Sequence, residues 1–204
     1  MSPTPGPRDG DRGETDAGAA FALARAVSVA LHPFAVFLAL TVLGVRALAP
    51  QAFAAAMAGV GAAVAVVWLF VWQRHRSGRW STVDASHPSE RPLLYLVLLL
   101  VLALVWWWMR DRAASLGHGI VAVAAMLVAA ALFNRWIKLS LHMASLSFAA
   151  VALWPLAPTA AAIGLALLPL LGWARLRMRR HGAAEVIGGA VLGVGFAMGL
   201  RWLA

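Results

Sequence analysis

Long apolar runs separated by short polar segments fill the chain from residue 21 to its end. A helix needs about 20 apolar residues to cross the hydrocarbon core of a bilayer. Seven runs approach this length and are predicted to be transmembrane helices: 24–49, 52–73, 93–109, 118–134, 137–155, 158–174 and 183–203. The third and fourth runs are short and the fifth begins with polar residues, so six full crossings plus one partly inserted helix is an alternative. The pattern predicts an all-α protein, a polytopic transmembrane bundle of six to seven helices.

Residues 1–20 lack this pattern and mix Pro, Gly and charges of both signs. Such a composition is typical of disorder, so we predict a disordered tail over 1–20 and one transmembrane domain over 21–204. Acidic residues interrupt the basic start that a cleavable signal peptide requires, namely Asp9, Asp11, Glu14 and Asp16. The first apolar run is therefore predicted to be a retained span.

The last predicted span contains two pairs of glycines with GxxxG spacing, Gly189 with Gly193 and Gly195 with Gly199. Small residues at this spacing let the backbones of two membrane helices approach closely. We predict that both pairs serve helix packing rather than ligand binding.

The composition also indicates an integral membrane protein. Hydrophobic residues make up 62% of the 204 and charged residues 12%, with a mean hydropathy of +0.80, which is too little charge to cover a soluble domain of this size. There is no cysteine, which excludes disulfides and thiolate metal sites. The net charge is +9, but the cations lie in short loops and no nucleic-acid-binding motif accompanies them. We therefore expect membrane lipids and an anionic ligand at the membrane surface as partners, and no nucleic acid.

The 17 Lys and Arg residues are distributed unequally between the two sets of predicted loops. With seven spans, 13 of them lie on the side of the N-terminus and 4 on the opposite side. Cytoplasmic loops of membrane proteins are enriched in Lys and Arg. The N-terminal side is therefore predicted to be cytoplasmic, in a bacterial-type inner (plasma) membrane.

Three polar clusters fall on this same side. They read STVDASHPSERPLLY at 81–95, NRWIKLSLHMASLSF at 134–148 and ARLRMRRHGAAEVIGG at 174–189. Nothing comparable occurs in the loops of the other side. We predict that these three segments, far apart in sequence, meet in one assembled site.

The third cluster has the residues of an activated nucleophile. Glu185 follows His181 by four residues, so the two side chains share a face if a helix starts near His181. A carboxylate on one imidazole nitrogen fixes the tautomer and leaves the other nitrogen as a base or nucleophile. Arg175 and a helix N-terminus beside this pair would favour an oxyanion. The remaining cations, Arg177, Arg179 and Arg180, are predicted to be ordinary juxtamembrane charges.

These clusters resemble the three motifs of the type 2 phosphatidic acid phosphatase family, in the same order, over about residues 74–200. The segment A-R-x5-H-x3-E at 174–185 is similar to the third motif, S-R-x5-H-x3-D, with Glu185 in place of Asp. The segment L-S-L-H at 139–142 resembles the second, P-S-G-H, and keeps Ser140 and His142. The segment D-x6-R-P at 84–92 resembles the first, K-x6-R-P, and keeps Arg91 but has Asp84 where the family has Lys.

The resemblance implies a mechanism. His181 would attack phosphorus and form a phosphohistidine, with Glu185 holding its ring. His142 would protonate the leaving oxygen and then activate water. The phosphoryl oxygens would be held by Arg91, Arg175 and Ser140, without a metal or other cofactor.

Asp84 occupies the position where the family has Lys, so another residue must supply the positive charge of that Lys. Lys138 precedes His142 by four residues, so we predict that it shares the helical face of His142 and supplies this charge. Asp84 is expected to be a neighbour of the site, paired with Arg91. His87 could reach the phosphate, and His32, beside Pro33, could either line a substrate path or be a satisfied interior histidine.

The function that follows is hydrolysis of lipid phosphate monoesters or pyrophosphates at the bilayer surface. An alternative from another class is a non-catalytic lipid-binding scaffold or a small transporter with a basic headgroup-binding face. The pattern specifies neither the lipid nor an oligomeric state.

Overall fold

The computed structural model describes residues 9–80 and 91–203, with side chains from Gly18 to Trp202 within those ranges. The described part is helical and contains no strand. Its helices are α1 Asp9–Ala30, α2 Pro33–Leu48, α3 Phe53–Arg76, α4 Arg91–Met109, α5 Gly117–Phe133, α6 Leu141–Leu153, α7 Pro158–Arg177 and α8 Ala183–Leu203. Short 3₁₀ turns, Pro50–Ala52 and Ala114–Leu116, precede α3 and α5. The predicted all-α bundle is confirmed.

Most of these helices can cross a membrane. Five of them are long and apolar enough to do so: α3, α4, α5, α7 and α8, where α3 and α5 are counted with the 3₁₀ turn before them. Helices α1 and α2 form a bent pair that makes a sixth candidate. Helix α6 has only 13 residues, fewer than a full crossing needs. The chain is thus an integral membrane protein, and its helix lengths agree with six crossings plus one shorter helix.

The first predicted span, 24–49, is two helices rather than one. The axes of its two parts, Gly18–Ala30 and Pro33–Leu48, differ by 41°. Pro33 has no N–H to donate within a helix and forces the preceding His32 out of helical geometry, and His32 has an extended backbone with φ −63° and ψ 143°. His32 then becomes the N-cap of α2, where its Nδ1 accepts a hydrogen bond from the Phe34 amide.

The N-terminal boundary also differs from the prediction. Helix α1 begins at Asp9, so the part of the predicted disordered tail from residue 9 to 20 is helical, and residues 1–8 lie outside the described residues. The physical reason is that the alanine-rich sequence around 17–26 favours continuing a helix toward the N-terminus, which outweighs the Gly residues and mixed charges in 9–20 that, with the Pro residues before them, led to the prediction.

Helix α6 lies at the centre of the bundle, and α8 packs closely against it. A Cβ atom added to Gly189 would overlap the carbonyl of Ser140, and one added to Gly193 would overlap the Ser147 hydroxyl and the Ala144 carbonyl. The packing role of this first glycine pair is confirmed.

The second pair, Gly195 and Gly199, does not have that role. A Cβ atom at either position meets no described atom within 4 Å. Two residues along an α-helix correspond to about 200° of rotation, so residue 195 faces away from α6 when residue 193 faces it. The predicted packing role is wrong for this pair.

From α2 onward the helices alternate in direction between two ends of the bundle. Helices α4, α6 and α8 begin at one end, where α7 finishes, and the break between α1 and α2 lies at this end as well. We call this end the site end. A cavity of about 510 Å³ starts there and is lined mainly by residues of α2 to α6, together with Arg175 of α7, His181, and Leu200 and Arg201 of α8. It extends along the whole of α2, a length of about 24 Å at 1.5 Å per residue.

Candidate active site

His181 lies in the short loop between α7 and α8, directly before the first turn of α8. Its Nδ1 is 2.9 Å from Oε2 of Glu185, and the same oxygen accepts from the Gly182 amide at 3.1 Å. Gly182 starts the helix, since its carbonyl accepts from the Val186 amide. Glu185 therefore reaches back to the N-cap amide as in a capping box while holding the imidazole. The contact expected between His181 and Glu185 is present.

The tautomer of His181 follows from its neighbours. Besides Glu185, the Lys138 carbonyl lies 3.1 Å from Nδ1. Both partners are acceptors, so Nδ1 carries the hydrogen and Nε2 keeps its lone pair. Burial lowers the pKa of His181 from 6.5 to about 4, helped by Arg175, Arg91 and Lys138 and opposed by Glu185. The ring is therefore neutral at pH 7, with a nucleophilic nitrogen.

Ser28 in α1 holds two of the predicted site residues. Its hydroxyl accepts from Nη1 of the buried Arg175 at 2.9 Å, and its carbonyl accepts from the ring of His142. This carbonyl is available because the break at Pro33 changes the local pattern: the His32 amide donates to the Val29 carbonyl at 3.2 Å instead of one turn back to Ser28. Nothing in the sequence pointed to Ser28, which is 147 residues from Arg175.

Arg91 is the first residue of α4 and is buried at the site end. Its Nη1 donates to the Leu139 carbonyl at 3.2 Å, and its guanidinium lies close enough to His181 to lower the pKa of that ring. Arg91 and Arg175 thus approach the same imidazole from α4 and α7. The structure brings together the two predicted guanidiniums and the predicted nucleophile.

Lys138 lies near the site, but not on the helical face of His142. Helix α6 begins only at Leu141, and residues 137–140 have no regular secondary structure, so the predicted shared face is wrong. The Ser140 amide donates to the Glu185 carbonyl at 3.0 Å, which holds this segment against α8 rather than in a helical turn. The Lys138 charge still acts on His181, directly from the loop.

Ser140 stands at the N-cap of α6 but does not cap it with its side chain. It is fully buried, and its hydroxyl has no hydrogen-bond partner among the described residues. Its contact with phosphate, which the resemblance implies, stays a prediction. Asp84 and His87 lie outside the described residues.

The cavity joins a polar end to a long apolar wall. Its polar end is lined by His32, Arg91, His142, Arg175 and His181. The wall that follows is mostly apolar and continues to Leu48, Met109 and Leu156 at the far end of the bundle, where His118 and Arg201 also line the cavity. Such a cavity has space for a polar head at one end and a hydrocarbon chain along the rest.

The charges that the described residues bring to the polar end favour an anion. Around His181, the described residues supply three cations, Arg91, Lys138 and Arg175, and one carboxylate, Glu185. Helices α4, α6 and α8 also begin here, and a helix N-terminus carries partial positive charge and N–H groups that attract anions. The juxtamembrane arginines at 177, 179 and 180 do not line the cavity.

His32 is a residue of this site for which the sequence left two interpretations open. Its ring contacts that of His142, with 5.1 Å between ring centroids, and it lines the cavity. The only signal in the sequence is a His-Pro pair inside an apolar run.

Comparison of the chain with protein-family models, with curated proteins and with solved structures finds no match. The resemblance carried by the three motifs stays a prediction.

Proposed function

We propose that this protein is a metal-independent phosphatase that hydrolyses phosphate monoesters or pyrophosphates of lipids. The observation that carries the proposal is the meeting of a neutral, carboxylate-held His181 with two buried guanidiniums and a second histidine at the polar end of an apolar cavity. Phosphoryl transfer depends mainly on positioning and on neutralising the equatorial oxygens. Arginine forks suit that task because they bind phosphate oxygens in pairs.

In the first step, Nε2 of His181 attacks phosphorus. A nitrogen–phosphorus bond forms and the bond from phosphorus to the lipid oxygen breaks. His142 enters this step as the imidazolium: one N–H stays on the Ser28 carbonyl, and the other nitrogen gives its proton to the lipid oxygen. The ring of His181 becomes positively charged, and the negative charge of Glu185 stabilises it. Arg91, Arg175 and Lys138 balance the charge of the phosphoryl oxygens.

In the second step, water attacks the phosphohistidine. His142, which has lost its proton, accepts one from the water. The nitrogen–phosphorus bond breaks, inorganic phosphate leaves, and His181 returns to its neutral form. The two steps use the same two histidines and need no other proton donor or acceptor.

The cavity supports a lipid as the substrate. Its apolar wall matches a hydrocarbon chain, while the site end of the bundle holds the cationic groups. From the Lys and Arg distribution we further propose that this end faces the cytoplasm of a cell with a bacterial-type plasma membrane. A substrate presented at the cytoplasmic surface then fits better than one presented outside.

The alternative is a lipid-binding scaffold or small transporter, and a cavity that extends between both ends of the bundle suits it too. The variant His181→Asn separates the two functions. The Asn amide can take the place of Nδ1 and keep the bonds to Glu185 and Lys138, but Nε2 is lost. A scaffold or transporter tolerates this change, whereas a phosphatase loses turnover.

The deciding experiment measures phosphate release by the purified protein in detergent from a panel of lipid phosphates and pyrophosphates. We expect release that vanadate inhibits, that EDTA does not, and that His181→Asn reduces by orders of magnitude while binding of the lipid persists. Wild-type protein that binds the lipids and releases no phosphate would favour the scaffold or transporter. Release that depends strictly on Mg²⁺ would contradict the proposed mechanism.

A further inference from the structure

The break between α1 and α2 brings a third histidine to the polar end of the cavity. The ring of His32 stands edge-on to that of His142, at 85° between the ring planes. We propose that His32 is a leaving-group residue of this site, which donates a hydrogen bond to the oxygen that joins the phosphoryl group to the lipid. This inference rests on the proposed function.

The helix cap determines which nitrogen of His32 can donate. Nδ1 accepts a hydrogen bond from the Phe34 amide at 3.3 Å, so this nitrogen carries no hydrogen. A neutral imidazole then has its single hydrogen on Nε2. The ring can donate only from Nε2, and a fixed donor stabilises negative charge as it develops on an oxygen.

The position of His32 along the cavity puts it on the leaving-group side. The attacking nitrogen of His181 and the leaving oxygen lie on opposite sides of phosphorus. In α2 the lining residues that follow His32 along the chain begin with the apolar Pro33, Phe34 and Phe37, and the lipid chain needs this apolar wall. The oxygen between head and chain therefore lies where the polar end meets the wall, beside His32 and His142.

His142 and His32 then act on the same leaving oxygen in different ways. His142 gives up its proton when the phosphorus–oxygen bond breaks and recovers one from water in the second step. His32 keeps its hydrogen throughout and holds the oxygen in place, so it adds neither a proton donor nor an acceptor to the balance of the reaction.

Helix capping alone does not explain a histidine at this position. Asn, Asp, Ser and Thr are the preferred N-cap residues. Substitution by Asn therefore keeps a cap acceptor for α2 and removes the imidazole, which makes it the matched variant for separating the two roles.

The test compares two esters without a lipid chain, phenyl phosphate and p-nitrophenyl phosphate, together with dodecyl phosphate. p-Nitrophenolate is a stable anion, so its departure needs little help from a hydrogen bond. We expect His32→Asn to lower kcat/KM about tenfold for phenyl phosphate, the effect of one hydrogen bond to developing charge, and at least as much for dodecyl phosphate. The kcat/KM of His32→Asn for p-nitrophenyl phosphate should be nearly unchanged. His142→Asn should rank the three substrates in the same order, with larger losses of kcat/KM.

Two results would overturn the inference while leaving the proposed function standing. One is wild-type kinetics of His32→Asn on all three esters. The other is an equal loss of kcat/KM on both aryl esters, which would mean that His32 has only a structural role. In that case the melting temperature of His32→Ala should fall, because this variant loses the helix cap. If the wild-type protein hydrolyses neither these esters nor the lipid panel, the proposed function fails and this inference fails with it.

Discussion

The charge of Glu185 can be removed with little change in geometry. Oε2 of this residue accepts both from Nδ1 of His181 and from the Gly182 amide. In Glu185→Gln, the amide oxygen can occupy the place of Oε2 and accept the same two bonds. The substitution then removes the negative charge alone, and we predict a protein that folds normally but hydrolyses lipid phosphates slowly.

The size of the loss follows from the state of the ring. In the resting site His181 is neutral, and a hydrogen bond from it to a charged acceptor exceeds one to a neutral acceptor by about 1 kcal/mol. When Nε2 bonds to phosphorus the ring becomes positive, so the lost interaction rises to about 1.5–3 kcal/mol. The Glu185 side chain is 24% exposed, and solvent screens part of this energy. Only the difference between the two losses, about 0.5–2 kcal/mol, raises the barrier to turnover. With about 1.36 kcal/mol for each factor of ten, kcat should fall about 2- to 30-fold.

The assay measures phosphate release over a range of lipid phosphate concentrations in detergent, so that kcat and KM are obtained separately, with thermal unfolding in the same detergent. Glu185→Asp is the matched control, because it keeps the charge and is the residue of the family motif; it should retain more activity than Gln. If Glu185→Gln turns over at the wild-type rate, no positive charge builds up on His181, and the phosphohistidine mechanism is wrong.

Four further predictions test other parts of the site and bundle. Since the pKa of His181 is lowered to about 4, kcat/KM should decrease as the pH falls through about 4 rather than through 6.5, after correction for ionisation of the substrate phosphate. A decrease centred near pH 6.5 would contradict this. Gly193→Ala should lower the free energy of unfolding by about 1–3 kcal/mol through overpacking, and with it the melting temperature. Gly195→Ala should leave both unchanged, because Gly195 faces open space. Lys138→Met should lower kcat/KM about tenfold or more and Lys138→Arg should restore much of it; unchanged hydrolysis by Lys138→Met would remove this residue from phosphate binding. Ser28→Ala, which takes one acceptor from buried Arg175, should cost about tenfold in kcat/KM, and Ser28→Thr should not.

Contacts between residues close in sequence were predictable. The pairing of His181 with Glu185 follows from a four-residue offset at a helix start, where the helix period itself fixes which side chains are neighbours. The glycine repeats of α8 gave the right interpretation for Gly189 and Gly193 and the wrong one for Gly195 and Gly199, because the repeat alone does not say which face of α8 meets another helix. The spans α4, α5, α7 and α8 were predicted within a few residues, since apolar length alone defines them.

Contacts between distant segments were not predictable. Arg91 bonds to Leu139 across 48 residues and Arg175 to Ser28 across 147, and no local period connects such positions. The start of α6 was missed for a related reason. The carbonyls of Lys138 and Leu139, which a longer helix would use internally, bond to His181 and Arg91 instead. Tertiary hydrogen bonds thus override the local preference for helix.

The backbone carbonyls of Ser28, Lys138 and Leu139 hold the ring of His142, the ring of His181 and the guanidinium of Arg91, respectively. Each of these carbonyls lies beside an interruption of helical structure, and irregular backbone at membrane depth is tolerated where it lines a cavity. A neutral acceptor orients a cationic or titratable side chain without cancelling positive charge, as a carboxylate would. Among the described residues, a carboxylate contacts this cluster only at His181, through Glu185, where the proposed mechanism creates positive charge. The broken first span and the late start of α6 therefore have one consequence in common: each supplies neutral acceptors that order the polar end of the cavity, which suits the dianionic phosphate of the proposed substrate.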